Sequence, residues 1–99
     1  MPMRVVTFKR IKEFIEKQKD SRTALEDWYF KTTKANWQDL SGIKKTFSSV
    51  DYVGNNRFVF NIKGNNYRLV AIVIFASQKV YIRFIGTHEE YNRIDCKNI

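Results

Sequence analysis

Several residue types are scarce in this chain, and each scarcity narrows what the protein can be. Its 99 residues include one cysteine, Cys96, and one histidine, His88. A lone cysteine forms no internal disulfide, and without further Cys or His at metal spacing a structural zinc site is not expected. The longest apolar run, Leu69 to Ala76, is far shorter than the ~20 residues that cross a bilayer. We therefore expect a cytoplasmic protein with no cofactor, no bound metal and no membrane association.

Acidic residues are also few, since ten Asp and Glu stand against 18 Lys and Arg and the net charge is +8. Such an excess favours a polyanionic partner because binding releases counterions, and nucleic acid is the first candidate. Charge alone is equally compatible with a solvated surface. A hydrophobic content of 43% over 99 residues suits one core. We expect a single domain over residues 1–99.

The first half of the chain is patterned as helices. Ile11 and Ile15 mark an apolar stripe at helical spacing with lysines between. Thr23 and Glu26 have the spacing of a capping box at the start of a second helix. Asn36 is a candidate N-cap for a third, shorter helix. Stripes of this kind are what core packing demands, so the aromatic residues on them are interpreted as core.

From Val50 onward the chain is patterned as strands. Runs of β-branched and aromatic residues are separated by the turn sequences "GNN" and "ASQK", which predicts an antiparallel meander. A further edge strand is expected near Arg4 to Val6. The order of elements predicts an α+β domain in which N-terminal helices pack on one face of a twisted antiparallel sheet, with a short C-terminal helix.

Alternation along these strands separates an apolar face from a cationic one. If both hairpin loops have even length, Lys63, Arg68 and Arg83 share one face, and Phe84 lies on the other with the remaining phenylalanines. The segment between Asp51 and Glu89 contains no acidic residue and five basic ones, namely Arg57, Lys63, Arg68, Lys79 and Arg83. An unpaired cationic sheet face is better suited to bind an anion than a surface of mixed charge.

Two segments at a defined interval carry a family resemblance. The stretch "NRFVFNIKGNNYRLVAIVIF", followed by "VYIRFIGTHEEYNRID", resembles the HigB family of bacterial toxins, a branch of the RelE superfamily of ribosome-dependent mRNA endoribonucleases. The likeness also covers "RVVTFKRIKEF" and "DWYFKTTKANWQD", and so spans nearly the whole chain. It implies helices on a twisted antiparallel sheet, cleavage of mRNA in the ribosomal A site, and inhibition by a HigA-type helix-turn-helix antitoxin.

The resemblance also implies a reactive cluster. By position, Arg68 matches the central arginine of the superfamily, Lys63 its strand lysine, and the segment with His88 and Tyr91 its C-terminal reactive segment. Metal-free cleavage of RNA requires deprotonation of the 2′-hydroxyl, stabilisation of charge on the phosphate, and protonation of the 5′-oxygen. Arg68, with Lys63 or Arg83, suits charge stabilisation. The residues expected to bind RNA without reacting are Arg83, Arg57 and Lys79.

His88 is the natural general acid or base, because the ordinary pKa of histidine lies near neutrality. A mechanism with two histidines is excluded by count, so Tyr91 or Lys63 must handle the second proton. Structural readings stand beside these roles: an exposed helix start for His88, a ring packed on the sheet for Tyr91, and a capping box formed by Thr87 and Glu90. At the level of the whole chain, the alternative is a non-catalytic basic module that binds nucleic acid.

Overall fold

The structure is a computed structural model that describes residues 2–99, and it has helices and a sheet in the expected order. The helices are α1 (Phe8–Lys17), α2 (Arg22–Lys34), α3 (Leu40–Thr46) and α4 (His88–Tyr91), with a 3-10 turn at Lys19–Ser21. The strands are β1 (Arg4–Val5), β2 (Asp51–Gly54), β3 (Arg57–Ile62), β4 (Tyr67–Ile74) and β5 (Lys79–Thr87). No helix within residues 2–99 is long and apolar enough to span a membrane.

One sheet with the strand order β1-β5-β4-β3-β2 organises the fold. Strands β3 to β5 form the predicted antiparallel meander, and β2 adds an antiparallel strand beside β3 that was not predicted. The predicted N-terminal edge strand is also present, and it runs parallel to β5. The α+β class is therefore confirmed, with a mixed sheet in place of a purely antiparallel one.

Helices α1, α2 and α3 pack on one face of this sheet. The predicted apolar stripes are buried, with Ile11 on α1 only 1% exposed and Leu25 on α2 fully buried. Phe60 on β3 lies under a cluster of aromatic rings, with centroid distances of 5.4 Å to Trp28 and 5.4 Å to Phe47. Edge-to-face contacts of this kind add to the burial of apolar area. The core on the helix side holds the sheet rigidly beneath the candidate site.

The predicted starts of the second and third helices are wrong. Helix α2 already begins at Arg22, directly after the 3-10 turn, so Thr23 lies inside it and does not cap it. Helix α3 begins at Leu40 with Asp39 as its N-cap, whose carboxylate accepts a hydrogen bond from the Gly42 N–H at 3.0 Å. Asn36 follows an extended residue that pairs with the N-terminal segment. Both helix starts therefore differ from the prediction because of local backbone structure, which is the 3-10 turn before α2 and the pairing of Ala35 with Met3 before α3.

A β-bulge in β5 changes which side chains share a face. Val70 pairs with Phe84 and Ala71 pairs with Ile82, so Arg83 is the extra residue between them. The expectation that Phe84 faces the helices is wrong, because its partner Val70 lies on the same side of β4 as Arg68. The parity argument that placed Arg83 beside Arg68 fails for the same reason.

The sheet face opposite helices α1 to α3, which we call the open face, is partly covered by the end of the chain. Asn55 donates to the main-chain oxygen of Lys97 at 3.2 Å, and Arg57 donates to that of Ile99 at 3.1 and 2.6 Å. Val59 and Val70 on this face are only 3% and 0% exposed, although they lie outside the helix-side core. Helix α4 and residues 92–99 therefore shield the middle of the open face.

Candidate active site

Arg68 lies at the centre of the candidate site. On the open face it pairs with Asn61 of β3 and with Gly86 of β5. Its Nη1 atom is buried without a hydrogen-bond partner in residues 2–99, and its Cζ atom lies 5.9 Å from the centroid of the Tyr91 ring. An unsatisfied buried donor is costly, and a guanidinium always carries its charge. The side chain therefore has a hydrogen-bond donor available for an anionic oxygen.

Tyr91 lies on α4, with its ring against the Arg68 guanidinium and its hydroxyl donating to Cys96 Sγ at 3.5 Å. Burial, followed by the hydrogen bond with the Cys96 thiol, raises the pKa of Tyr91 to about 12, and the positive charge of Arg68 acts in the opposite direction. The phenol is consequently neutral at physiological pH. It can donate a proton or a hydrogen bond, whereas it is not available as a base.

His88 begins α4 just past the end of β5. The predicted capping box is confirmed: Thr87 Oγ1 accepts from the Glu90 N–H at 3.1 Å, and the Glu90 carboxylate accepts from the Thr87 N–H at 2.8 Å. The backbone N–H of His88 donates to the carbonyl oxygen of Asn66 at 3.3 Å. His88 is exposed and stands two residues beyond Gly86, the partner of Arg68. The His88 backbone is thus held two residues beyond the strand position opposite Arg68, and its side chain is open to solvent.

Gly86 is a site residue that the sequence reasoning missed. A Cβ atom at this position would collide with the ring of Phe84 and lie 2.9 Å from Glu90 Oε1. The absence of a side chain therefore lets Phe84 and the capping carboxylate both pack over the strand opposite Arg68. The signal in the sequence is a glycine inside a predicted strand, which often marks the close approach of another group to the backbone.

Known proteins are similar to this chain over most of its length. A family profile described as HigB_toxin, RelE-like toxic component of a toxin-antitoxin system, matches residues 21–94. The chain belongs to the HigB toxin family. It is 37% identical over 93 residues to the mRNA interferase toxin HigB of Escherichia coli strain K12, covering 91% of this chain and 88% of that protein. Identity and coverage are the same for the mRNA interferase HigB of Shigella flexneri.

A more distant relative matches over a similar length. The mRNA interferase HigB of Escherichia coli O6:H1 is 21% identical over 94 residues, covering 93% of this chain and 91% of that protein. As the toxic component of a two-part system, a HigB-family chain has an antitoxin as its partner.

In this HigB-family chain, Lys63 lies apart from Arg68. Its Nζ atom forms an ion pair with Asp20 Oδ2 at 2.8 Å, and Asp20 also accepts a hydrogen bond from Tyr67 on the helix side of the sheet. Lys63 has a φ of +53°, which breaks the strand alternation on which the prediction depended. The expected shared face with Arg68 is wrong, while a catalytic role for Lys63 stays a prediction.

The three candidate RNA-binding residues of this HigB-family chain have different surroundings. Arg57 lies on the open face, but its guanidinium is occupied by Ile99. Lys79 lies on the open face at the β1 edge, where it pairs with Arg4 and Ile74. Arg83 is exposed in the bulge. The structure brings Tyr91 against Arg68 and places His88 two residues after Gly86, the strand partner of Arg68, and the RNA contacts stay a prediction.

The contribution of the Lys63–Asp20 ion pair to stability can be tested by changing the pH. The hydrogen bond from Lys63, followed by that from Tyr67, holds the pKa of Asp20 below its ordinary value of 3.8. A depressed carboxyl pKa contributes stability that is present above the ordinary pKa and is lost as pH falls through the folded value. We expect Asp20→Asn to flatten the fall of Tm between about pH 5 and about pH 2. Thermal melts followed by circular dichroism measure this slope.

A matched control is Asp27→Asn. The Asp27 carboxylate pairs with Lys31 at the surface of α2, and the Asp27 side chain is 54% exposed, against 52% for that of Asp20. This variant should keep the wild-type acid slope. Equal slopes for wild type and Asp20→Asn would show that the Asp20 cluster does not contribute to stability.

Proposed function

We propose that this chain is an mRNA interferase, a ribosome-dependent endoribonuclease that cuts mRNA in the A site and arrests translation. The observation that carries the proposal is the buried Nη1 of Arg68, which has no hydrogen-bond partner among residues 2–99 and lies next to a neutral Tyr91 and to the strand end that leads into His88. The printed names of the relatives, mRNA interferases, support the same activity.

The chemistry proposed is attack of a ribose 2′-hydroxyl on the adjacent phosphate without a metal ion. The new P–O bond forms as the bond to the 5′-oxygen breaks, which leaves a 2′,3′-cyclic phosphate and a 5′-hydroxyl. Negative charge grows on the non-bridging oxygens, and we assign the stabilisation of that charge to the guanidinium of Arg68. Because that side chain is half-buried, its attraction for the charge is screened less than it would be in water.

Two protons must move, one from the 2′-hydroxyl and one to the 5′-oxygen. Tyr91 is a donor only, since burial keeps its phenol neutral. We therefore assign removal of the 2′-hydroxyl proton to His88, with Tyr91 as the candidate donor to the leaving oxygen. Lys63 is the weaker candidate for this second proton because its ammonium is bound to Asp20.

The raised pKa of Tyr91 gives a direct test of this division. The difference in tyrosinate absorbance between wild type and Tyr91→Phe reports the ionisation of Tyr91 alone. At pH 10, the ordinary midpoint for tyrosine, this difference should be almost zero. A group with an ordinary pKa would give about half of one tyrosinate at that pH. Tyr91→Phe should also lower the cleavage rate by ~10²-fold. A half-ionised signal at pH 10 would contradict the raised pKa of Tyr91, and a wild-type cleavage rate in Tyr91→Phe would contradict its assignment as the donor.

The partners proposed are the ribosome with its mRNA and a HigA-type antitoxin with a helix-turn-helix, and the location proposed is the cytoplasm. The net charge of +8 supports a ribosomal site, because a basic chain is drawn to a surface rich in phosphate. It equally favours an antitoxin whose toxin-binding surface is acidic.

The deciding experiment compares the same transcript in two settings. Purified protein is added to a translating cell-free extract and to naked mRNA, and the new 5′-ends are mapped. We expect cuts within codons only during translation, with 5′-hydroxyl ends. Cuts of equal extent on naked mRNA would contradict ribosome dependence. Intact transcripts in both settings, with binding that weakens by about 0.7 log unit per phosphate contact for each log unit of salt, would instead establish a non-catalytic module.

A further inference from the structure

Asn92 follows α4 directly and contacts the His88 ring. Its side-chain amide nitrogen lies 3.2 Å from His88 Nδ1, and its backbone N–H donates to the His88 carbonyl oxygen at 3.1 Å. Residues four apart on a helical turn are neighbours, so the side-chain contact follows from the local backbone. The other ring nitrogen, Nε2, has no hydrogen-bond partner in residues 2–99.

We propose that Asn92 is a positioning residue that holds Nδ1 of His88 and leaves Nε2 as the nitrogen that exchanges protons with the RNA. The inference rests on the proposed function, because it gives His88 a proton to move. It goes beyond that function by naming the reacting nitrogen and the residue that selects it. A base oriented by a third group is a general arrangement in proton-transfer sites.

An amide at this position can hold Nδ1 in either neutral tautomer of the ring. With the hydrogen on Nε2, Nδ1 accepts from the Asn92 NH₂, but Nε2 then has no free lone pair and cannot act as the base. With the hydrogen on Nδ1, Nε2 can take the proton from the 2′-hydroxyl, and Nδ1 needs an acceptor both before and after that transfer. Rotation about the Cβ–Cγ bond of Asn92 presents the amide oxygen as this acceptor. Asn92 therefore supports the reactive tautomer and the imidazolium that forms from it.

The backbone around this pair is fixed without the Asn92 side chain. The Thr87–Glu90 capping box and the bond from the His88 N–H to Asn66 define the start of α4. The Asn92 backbone bond to the His88 carbonyl survives any side-chain replacement. Variants at Asn92 should therefore alter the ring contact while α4 stays folded.

Nuclear magnetic resonance can observe this contact directly, because His88 is the only histidine in the chain and its imidazole ¹⁵N signals need no assignment. We expect the neutral ring of the wild type to carry its hydrogen on Nδ1 to a greater extent than free histidine does, because the Asn92 amide oxygen can accept from it. Asn92→Ala should move the tautomer ratio toward that of free histidine, and Asn92→Asp, an acceptor only, should keep the hydrogen on Nδ1. Ribosome-dependent cleavage should fall by about tenfold in Asn92→Ala and by less in Asn92→Asp.

The control is Asn98→Ala, which removes an exposed amide that is bound to Asp95 and should change neither readout. Tautomer ratios that are the same in wild type and Asn92→Ala would overturn the inference. A changed ratio with cleavage within about twofold of wild type would also overturn it, provided that His88→Ala is inactive. If His88→Ala cleaves like wild type, the proposed function fails at His88 and the inference fails with it.

Discussion

Arg68→Ala is expected to lower the rate of mRNA cleavage by ~10³-fold and to abolish growth arrest on induction. The Arg68 side chain is half-buried, its Nη1 has no hydrogen-bond partner within residues 2–99, and its Cζ lies 5.9 Å from the centroid of the Tyr91 ring, so a phosphate bound there would be partly shielded from water. Loss of one hydrogen-bond donor to developing charge typically lowers the rate by about 10²- to 10³-fold. Lys63, the nearest alternative in the sequence, is bound to Asp20.

Arg68→Lys should recover little of this loss. An ammonium keeps the charge but lacks the planar fork that meets two phosphate oxygens and stacks on an aromatic ring. The matched control is Arg22→Ala on the helix side, where the arginine pairs with Glu26 at 3.7 Å and both side chains are exposed. It removes one positive charge and should cleave at the wild-type rate.

The measurement is the rate at which a defined transcript is cut in a translating extract, with circular dichroism melts to show that each variant is folded. Equal rates for Arg68→Ala and Arg22→Ala would remove Arg68 from the site. A loss of rate that is matched by a loss of fold would be resolved with Arg68→Gln, which retains most of the stem and its apolar packing.

The alternation rule identified the open face correctly where the strands are regular. It placed Arg57 and Arg68 on one side, and the observed β3–β4 register has the expected odd sums, as in the pair of Asn61 with Arg68. The rule failed at two local exceptions, the bulge that displaces Arg83 and the positive φ of Lys63. Both exceptions are changes in backbone conformation that depend on neighbouring strands and turns. The two-residue alternation of side chains along a strand does not reveal them.

Contacts between distant parts of the chain were the other information that the sequence could not supply. Arg57 is occupied by Ile99, 42 residues away, and Lys63 by Asp20, 43 residues away. Counting charges treated both as free cations. Local signals performed better, since the capping box of Thr87 and Glu90 was visible as Thr-x-x-Glu and is present. Asn92 has a signal of the same local kind, four residues after the histidine, which becomes meaningful once α4 is known to be helical.

His88→Ala is expected to reduce cleavage by about 10²- to 10⁴-fold and to leave the fold intact, because the side chain is exposed and its backbone bonds are kept. With a single histidine in the chain, no second imidazole can take over the proton from the 2′-hydroxyl. Tyr91 cannot substitute either, since a phenol with a pKa of about 12 is not a base at neutral pH.

Rescue by added imidazole distinguishes a missing base from a disturbed site. An exposed position leaves room for a free imidazole near the vacated ring, so the His88→Ala rate should rise with imidazole concentration, whereas that of Arg68→Ala should not. The control is Glu89→Gln, an exposed neighbour on α4 that takes no part in the capping box and should keep wild-type activity.

A His88→Ala variant that cuts transcripts at the wild-type rate would exclude proton transfer by histidine. The chemistry would then depend on Arg68, with Tyr91 supplying a proton but no side chain here removing one, and the base would have to come from the ribosome or the RNA itself.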